Sequence, residues 1–415
     1  MTAEIVSVGT ELLLGQITDT NATFISEKLA ERGVNVYFRQ TVGDNLERLC
    51  AALRLAGSRA DAVIITGGLG PTDDDITREA LAGIVGVELK QDPQAAALIK
   101  AFLKARGRSV NAATLRQARV PEGGTIAPNR HGTAPGIIVE HDGSEFIALP
   151  GVPSEMQAML EDCVLPHLEA RGGGPGPIIK SRILHLSGVG ESALGEMIGD
   201  ILQGQSDPTI APYAALGGVQ LRITTKAASD EDASTKIARV EQQLRARLGS
   251  LVFGTDDETL EAVVGTMLAQ RRLTITTAES CTGGLIANRL TDIPGSSAYF
   301  VGGVVTYSNQ EKARLLGVAP ELMEQHGSVS EVVAKAMAVG ARERSGADMA
   351  AAATGIAGPT GGTPQKPVGL VWIALATQES VICQEHRFHG ARDQIKWRTS
   401  QAALNMVRLR LLGEL

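Results

Sequence analysis

A chain of 415 residues has room for roughly two to three domains, each large enough for its own core. Apolar residues at 43%, charged residues at 20%, 47 glycines and few aromatics make an ordinary soluble α/β composition, and the net charge of −7 speaks against general nucleic-acid affinity. Cys50, Cys163, Cys281 and Cys383 are scattered with no C-x-x-C pair or zinc spacing, Glu4 breaks the opening apolar run, and no stretch approaches membrane-spanning length. The expected setting is therefore the reducing cytoplasm, with no signal peptide and no membrane.

The chain opens with AEIVSVGTELLLGQITDTN, read as a strand, a Gly-Thr turn and a helix from about Asn21 to Arg32. A second strand, VNVYFRQTVG, precedes a helix around Leu46 to Ala56, and a third, ADAVIIT, runs into the turn GGLGPTDDD and another helix. Strands alternating with helices predict a doubly wound parallel sheet with its ligand site at the carboxyl ends of the strands. GGLGPT matches neither G-x-G-x-x-G nor a Walker A loop, yet Gly67, Gly68 and Gly70, with Thr72, let backbone N–H groups approach a phosphate. Asp73, Asp74 and Asp75 follow. One of them could cap the helix, but three in succession repel one another unless a cation lies between them, which points to a hard metal such as Mg²⁺, with Glu11 as a further ligand. A hairpin is expected around His141, Asp142 and Gly143, and Pro150, Gly151 and Ser154 form a second turn before a helix at the same sheet edge. His131 is at most a ligand contact.

RGGGPGP, Arg171 to Pro177, reads as a linker. Ile178 to about Phe253 has a β-α-β-β-α-like order and no concentrated chemistry, so spacing or docking is its expected task. A third unit begins with the helix ETLEAVVGTMLAQRR from Glu258, and the apolar strand PVGLVWIALA and the strand and helix in VICQEHRFHGARDQIKWRTSQAAL come late in it.

Within this third unit LTITTAESCTGG alternates as a strand and ends in two glycines before the helical GLIANRL, which puts Ser280 on a strand-to-helix turn. Helix-start N–H groups near Cys281 and Thr282 could hold an oxyanion there; the plainer reading is that Ser280 or Thr282 caps the helix. No G-x-S-x-G elbow or well-placed histidine accompanies Ser280, so its activator would be a lysine with a pKa lowered by burial. In VGGVVTYSNQEKARL, a strand ending at Tyr307 and then a helix, Lys312 and Tyr307 are the candidates; ordinary alternatives are a solvated lysine and a packed aromatic. Thr354 edges the glycine-rich ATGIAGPTGG loop, and Arg392 stands at the last strand-to-helix turn, where a guanidinium could grip a phosphate.

AESCTGG, VTYSNQEKARLLGV, ATGIAGPTGG and KPVGLVW together resemble the nicotinamide-nucleotide amidase signature, and GTELLLGQITDTN, GGLGPTDDD and ALPGVPSEM resemble the molybdopterin-binding-like domain joined to it in the competence/damage-inducible protein A (CinA) family. The resemblance covers essentially the whole chain. It implies a molybdopterin-binding-like α/β domain over 1–170, a KH-like α+β connecting domain over 171–255 and an α/β amidase domain over 256–415. It implies two activities: deamidation of nicotinamide mononucleotide to nicotinate mononucleotide and ammonia without a cofactor, and hydrolysis of ADP-ribose to AMP and ribose 5-phosphate with a divalent metal of the Mg²⁺ or Co²⁺ class, helped by potassium. Carried onto this chain, Ser280 is the catalytic serine with Tyr307 and Lys312, Thr282, Gly283, Thr354 and Gly355 lie on substrate loops, Arg392 meets the nucleotide phosphate, and Asp73, Asp74 and Glu11 face the metal. A homodimer is expected. The competing readings are a first domain that binds a pterin or nucleotide without turnover, and a non-catalytic partner in DNA uptake or repair.

Overall fold

The computed structural model describes residues 1–172, 177–215 and 218–415. Of the linker expected at 171–177, Gly173, Gly174, Pro175 and Gly176 lie outside the described residues. The chain divides into two compact units, residues 1–180 with 225–235 and residues 181–224 with 236–415.

In the first unit β1 (Thr2–Val8), β2 (Asn35–Val42) and β3 (Ala62–Thr66) are parallel. A small ribbon of β4 (Leu89–Gln91) and β5 (Arg119–Pro121) precedes β6 (Thr125–Ala127), β7 (Gly136–His141) and β8 (Ser144–Leu149). The six-stranded sheet has the order β2-β1-β3-β8-β7-β6, with β8 parallel to β3 and the expected β7–β8 hairpin making one edge antiparallel. Strands β3 and β8 are buried along their whole length because side chains on both faces meet a core. Val63 and Ile65 join Leu49, Leu53 and Leu81 on one side, while Ala62 and Ile64 join Ile25, Leu29 and Met156 on the other. Loops at the carboxyl ends of β1, β3 and β8 consequently open at one sheet edge.

The middle module contains β9 (Ile178–Leu186), the helix Glu191–Gln203, β10 (Thr209–Ala215), β11 (Gly218–Ala227), the helix Asp230–Leu248 and a short closing strand β12 (Val252–Thr255). Its sheet runs β10-β11-β9-β12, and Leu194, Ile198, Ile237 and Leu244 pack on Leu184, Leu221 and Ile223.

The last module is a five-stranded sheet of order β14-β13-β15-β16-β17. The strands β13 (Ile275–Glu279), β14 (Phe300–Val305) and β15 (Met349–Gly355) are parallel, and β16 (Leu370–Ala376) and β17 (Val381–Arg387) extend them antiparallel. Its central strand is mostly alanine, which lets helices lie close on both faces: Ala350 and Ala352 meet Ala334 and Met337, and Ala351 and Ala353 share a cluster with Leu268, Leu404 and Val407. Leu268 is fully buried, so Leu268→Ala should cost about 2–5 kcal/mol. Among the described residues no helix is long and apolar enough to cross a membrane.

Candidate active site

Ser280 follows β13 directly, and its N–H continues the ladder to the Ala353 carbonyl at 2.9 Å, so the sheet fixes its backbone. One strand over, β14 ends at Val305 rather than Tyr307, and the chain turns through Thr306 and Tyr307 into the helix Asn309–Leu316. Ser308 caps that helix by accepting from the Glu311 N–H at 3.1 Å, and the first turn brings Lys312 over the strand ends. Lys312 is 1% exposed; its Nζ lies 3.1 Å from Ser280 Oγ, 2.9 Å from the Thr306 carbonyl and 3.4 Å from the Tyr307 carbonyl. Burial lowers its pKa from the ordinary 10.5. A neutral amine has two N–H bonds and one lone pair. With the two carbonyls accepting the N–H bonds, the lone pair is left for the serine proton, which is the arrangement of a general base.

Burial pushes the neighbouring Cys281 thiol up to about 12, so it is no thiolate at neutral pH. The local structure around the Cys281 and Thr282 N–H groups differs from the expected helix start. The helix expected straight after Ser280 starts only at Leu285, and the Gly284, Ile286 and Ala287 N–H groups are taken by the Glu279 carboxylate at 3.0, 3.1 and 2.8 Å. The N–H groups of Cys281 and Thr282 meet no acceptor among the described residues, and they are the donors left beside Ser280. Gly283 closes the turn at φ +65°, a conformation side-chain-bearing residues rarely take, with its N–H donating to the Ser280 carbonyl at 3.2 Å. Glu279 lies inside AESCTGG without an assigned role; its physical signal is an acid that ends an apolar strand just before two glycines and a helix.

The Tyr307 hydroxyl does not join the pair. It accepts from Arg392 Nη2 at 2.7 Å on a side of the residue that is 61% exposed, and only the Tyr307 carbonyl touches Lys312. Arg392 opens the helix Arg392–Leu412, and its Nη1 donates to the Gly358 carbonyl at 2.7 Å, so both terminal nitrogens already have partners. Thr354 is buried at the end of β15 with Oγ1 donating to the Ser328 carbonyl at 2.8 Å, and Gly355 packs against Val371 and the Leu370 carbonyl. Thr282 is fully buried and its hydroxyl lacks a partner among the described residues. Lys396, absent from the motifs, lies one turn beyond Arg392, with Nζ 3.5 Å from the position a Cβ on Gly283 would take. Its ammonium has no acceptor among the described residues, so a positive charge is available beside the Ser280 turn.

In the first unit Gly67 carries φ +105°, and a Cβ there would stand 2.3 Å from the Val8 carbonyl, so only glycine lets β3 turn this close to β1. Thr77 Oγ1 donates to the Gly67 carbonyl at 2.8 Å, and buried Arg78 donates to the Leu69 and Gly70 carbonyls at 2.8 and 2.7 Å, holding the turn that contains Gly68. Asn21 Nδ2 donates to Thr66 Oγ1 at 3.0 Å and to the Gly151 carbonyl at 2.9 Å, and Thr66 Oγ1 donates to the Pro150 carbonyl at 3.3 Å. The two glycine-rich turns therefore share one edge, with Ser154 exposed beyond them. The acidic residues are not gathered. Asp73 is ion-paired with Arg116, Asp75 accepts from the Thr72 N–H at 2.8 Å and the Thr72 hydroxyl at 2.5 Å, and Glu11 is exposed on the single turn Thr10–Leu13. Asp74 is exposed, and hydrogen bonding at this turn holds its carboxyl below the usual range. None of the three aspartates caps the next helix, which starts at Thr77 behind Ile76. Among the described residues no three His, Cys, Asp or Glu side chains converge to hold a metal ion, so the acids form no complete protein cage, and an ion held by one or two of them would need substrate phosphates as further ligands.

Family models match the chain in three places: a probable molybdopterin binding domain over 4–170, a damage-inducible protein CinA KH domain over 181–254 and a CinA C-terminal domain over 257–411. A competence-damage inducible protein of Symbiobacterium thermophilum is 49% identical over all of both chains, and one of Caldicellulosiruptor bescii is 48% identical over 99% of this chain and 100% of its own. Among solved structures, the competence/damage inducible protein CihA of Agrobacterium tumefaciens is 44% identical over 37% of this chain and 93% of its own, with a TM-score of 0.36. A CinA superfamily protein of Escherichia coli is 32% identical over 39% of this chain and 98% of its own, also at 0.36. With full-length identity near one half to proteins of that name and all three modules in order, the chain belongs to the competence/damage-inducible CinA family.

Proposed function

We propose that the Ser280 centre deamidates nicotinamide mononucleotide. Ser280 Oγ attacks the carboxamide carbon while neutral Lys312 takes its proton. The Cys281 and Thr282 N–H groups hold the oxyanion, a contribution of about 3 kcal/mol per donor. Lys312 then protonates the leaving nitrogen, ammonia departs, and water hydrolyses the Ser280 ester to nicotinate mononucleotide. The observation that carries this reading is the 3.1 Å approach of a buried lysine to a serine hydroxyl. The substrate comes from the family resemblance. Ammonia release from nicotinamide mononucleotide by the full chain, lost in Ser280→Ala, is the expected result; undiminished release by that variant sinks the mechanism.

For the first unit we propose a nucleotide site at the Gly67–Gly70 and Pro150–Gly151 turns, where the resemblance implies ADP-ribose hydrolysis with a Mg²⁺- or Co²⁺-class ion and potassium. No step is assigned to a metal; of the acids named for it, Asp73 is already ion-paired with Arg116. That engagement favours a second reading, binding without turnover. Production of AMP from ADP-ribose, measured for the wild type and for Asp73→Asn/Asp74→Asn, separates the two. A homodimer belongs to the same proposal: β14 is an edge strand with Val301 and Val305 about half exposed, and light scattering at twice the monomer mass is the expected result.

A further inference from the structure

In the second unit a cavity of about 670 Å³ lies between the turn Ser187–Glu191 and one face of the helix Arg392–Leu412, with His386 of β17 and Phe388 just after that strand beside it. Two carboxamides one helical turn apart line it, Gln401 at 5% and Asn405 at 8% exposure. Each has its oxygen held by an arginine that is itself buried. Arg289 Nη2 donates to Gln401 Oε1 at 2.7 Å, and Arg408 donates from Nε and Nη2 to Asn405 Oδ1 at 3.0 and 2.8 Å. A guanidinium has only donors, so neither carboxamide can turn over, and both NH₂ groups are directed away from the arginines. Neither NH₂ meets an acceptor among the described residues, and Asn405 Nδ2 lies 3.6 Å from the place of a Cβ on Gly188 in the turn.

The cavity also reaches the start of the helix Glu191–Gln203, whose N-cap Gly190 offers no side-chain cap, so first-turn N–H groups there lack a side-chain acceptor. Arg398 adds a guanidinium to the lining. The one acid in it, Glu191, is exposed and free to extend into water. Donors that open into a cavity without a protein acceptor match an oxyanion, because one charged acceptor satisfies several of them at once. His386 and Phe388 stack at 5.2 Å and 10°, a flat pair on the same cavity wall. Ser280, Lys312 and Arg392 are not part of this lining.

We propose that this cavity binds a phosphorylated small molecule, a nucleoside monophosphate, with its phosphate on the Gln401 and Asn405 NH₂ groups and its base beside the His386–Phe388 pair. The test is photolabelling of the full chain with 8-azido-AMP, followed by peptide mapping, in the wild type and in Gln401→Glu/Asn405→Asp. These substitutions keep the oxygen that each arginine needs and replace a donor by a charged acceptor of the same size. Label on peptides carrying His386, Phe388 or the 398–409 face is expected in the wild type, displaced by AMP, and reduced about tenfold or more in the double variant. Melting curves and ammonia release should be unchanged, and each single variant is carried alongside in case the double one fails to fold. Displacement by AMP but not by equal inorganic phosphate assigns the nucleotide; equal displacement by both overturns the base contact and leaves a free-phosphate site. Absence of label from these peptides, or equal labelling of wild type and variants, overturns the proposal altogether.

Discussion

Lys312 Nζ lies 2.9 Å from the Thr306 carbonyl, and Thr306 is itself tied to β13 through its N–H, which donates to the Glu279 carbonyl at 2.8 Å. The base is therefore aimed by the sheet. Because only the neutral amine accepts the Ser280 proton, kcat/KM for nicotinamide mononucleotide should rise with pH through the Lys312 pKa, which burial sets below 10.5, and then level off. Lys312→Met should lower kcat by about 10²–10⁴-fold. A profile already flat from acidic pH upward would contradict a lysine base.

The same burial acts on stability. A base whose folded pKa lies below its unfolded value binds more protons when unfolded, so stability rises with pH between the lowered value and the ordinary 10.5, and the deficit is complete below that window. Lys312→Met removes the titrating group. Urea unfolding of the two proteins across neutral to alkaline pH should show the wild type gaining on the variant as pH rises; a constant difference would mean that the buried lysine does not titrate abnormally.

Cys281 is the rival nucleophile, adjacent in sequence and 5% exposed. With its thiol pushed up to about 12, the fraction present as thiolate at neutral pH is negligible. Cys281→Ala should keep most ammonia release, and alkylating reagents should leave the folded enzyme active. An inactive Cys281→Ala beside an active Ser280→Ala would make the enzyme a thiol amidase.

Glu279 should matter as much for the fold as for the reaction. Its carboxylate accepts three N–H groups at the start of the helix Leu285–Thr291, and Glu279→Gln would turn an NH₂ against at least one of them. The expected loss is about 1–3 kcal/mol, seen as a lower melting temperature, with reduced kcat because the 281–284 turn carries the N–H groups proposed to hold the oxyanion. An unchanged melting temperature would show that the turn holds without this acid.

What was legible in the sequence is what local pattern controls. The alternation in ITTAE, the glycine pair after it and the missing histidine pointed to Ser280 and a lysine, and the Asn309–Leu316 helix placed Lys312 where that reading needs it. Long-range partners were not legible. Tyr307 was expected beside Lys312, but its hydroxyl meets Arg392, 85 residues away, and Asp73 meets Arg116 across 43 residues, a pair that no local pattern shows. Asn21, the last residue of GTELLLGQITDTN, ties two strand ends together through contacts that no local pattern in that motif shows.

Arg392 was expected to meet the substrate phosphate, and a guanidinium grips a phosphate best with two nitrogens at once. In the structure those nitrogens donate to the Gly358 carbonyl and the Tyr307 hydroxyl, so the guanidinium is organising the rim of the site, and a phosphate would have to displace a partner to be gripped bidentately. Lys396, one turn further on and near Gly283, has an ammonium with no acceptor among the described residues. The phosphate contact is therefore expected from Lys396. Lys396→Met should raise KM for nicotinamide mononucleotide about tenfold with little change in kcat, and should leave nicotinamide riboside, which lacks the phosphate, nearly unaffected. Arg392→Lys should instead lower kcat/KM for both substrates, since a point charge cannot hold Gly358 and Tyr307 together. If Lys396→Met leaves both KM values unchanged while Arg392→Lys penalises only the phosphorylated substrate, the phosphate sits on Arg392 and the rim must open to receive it.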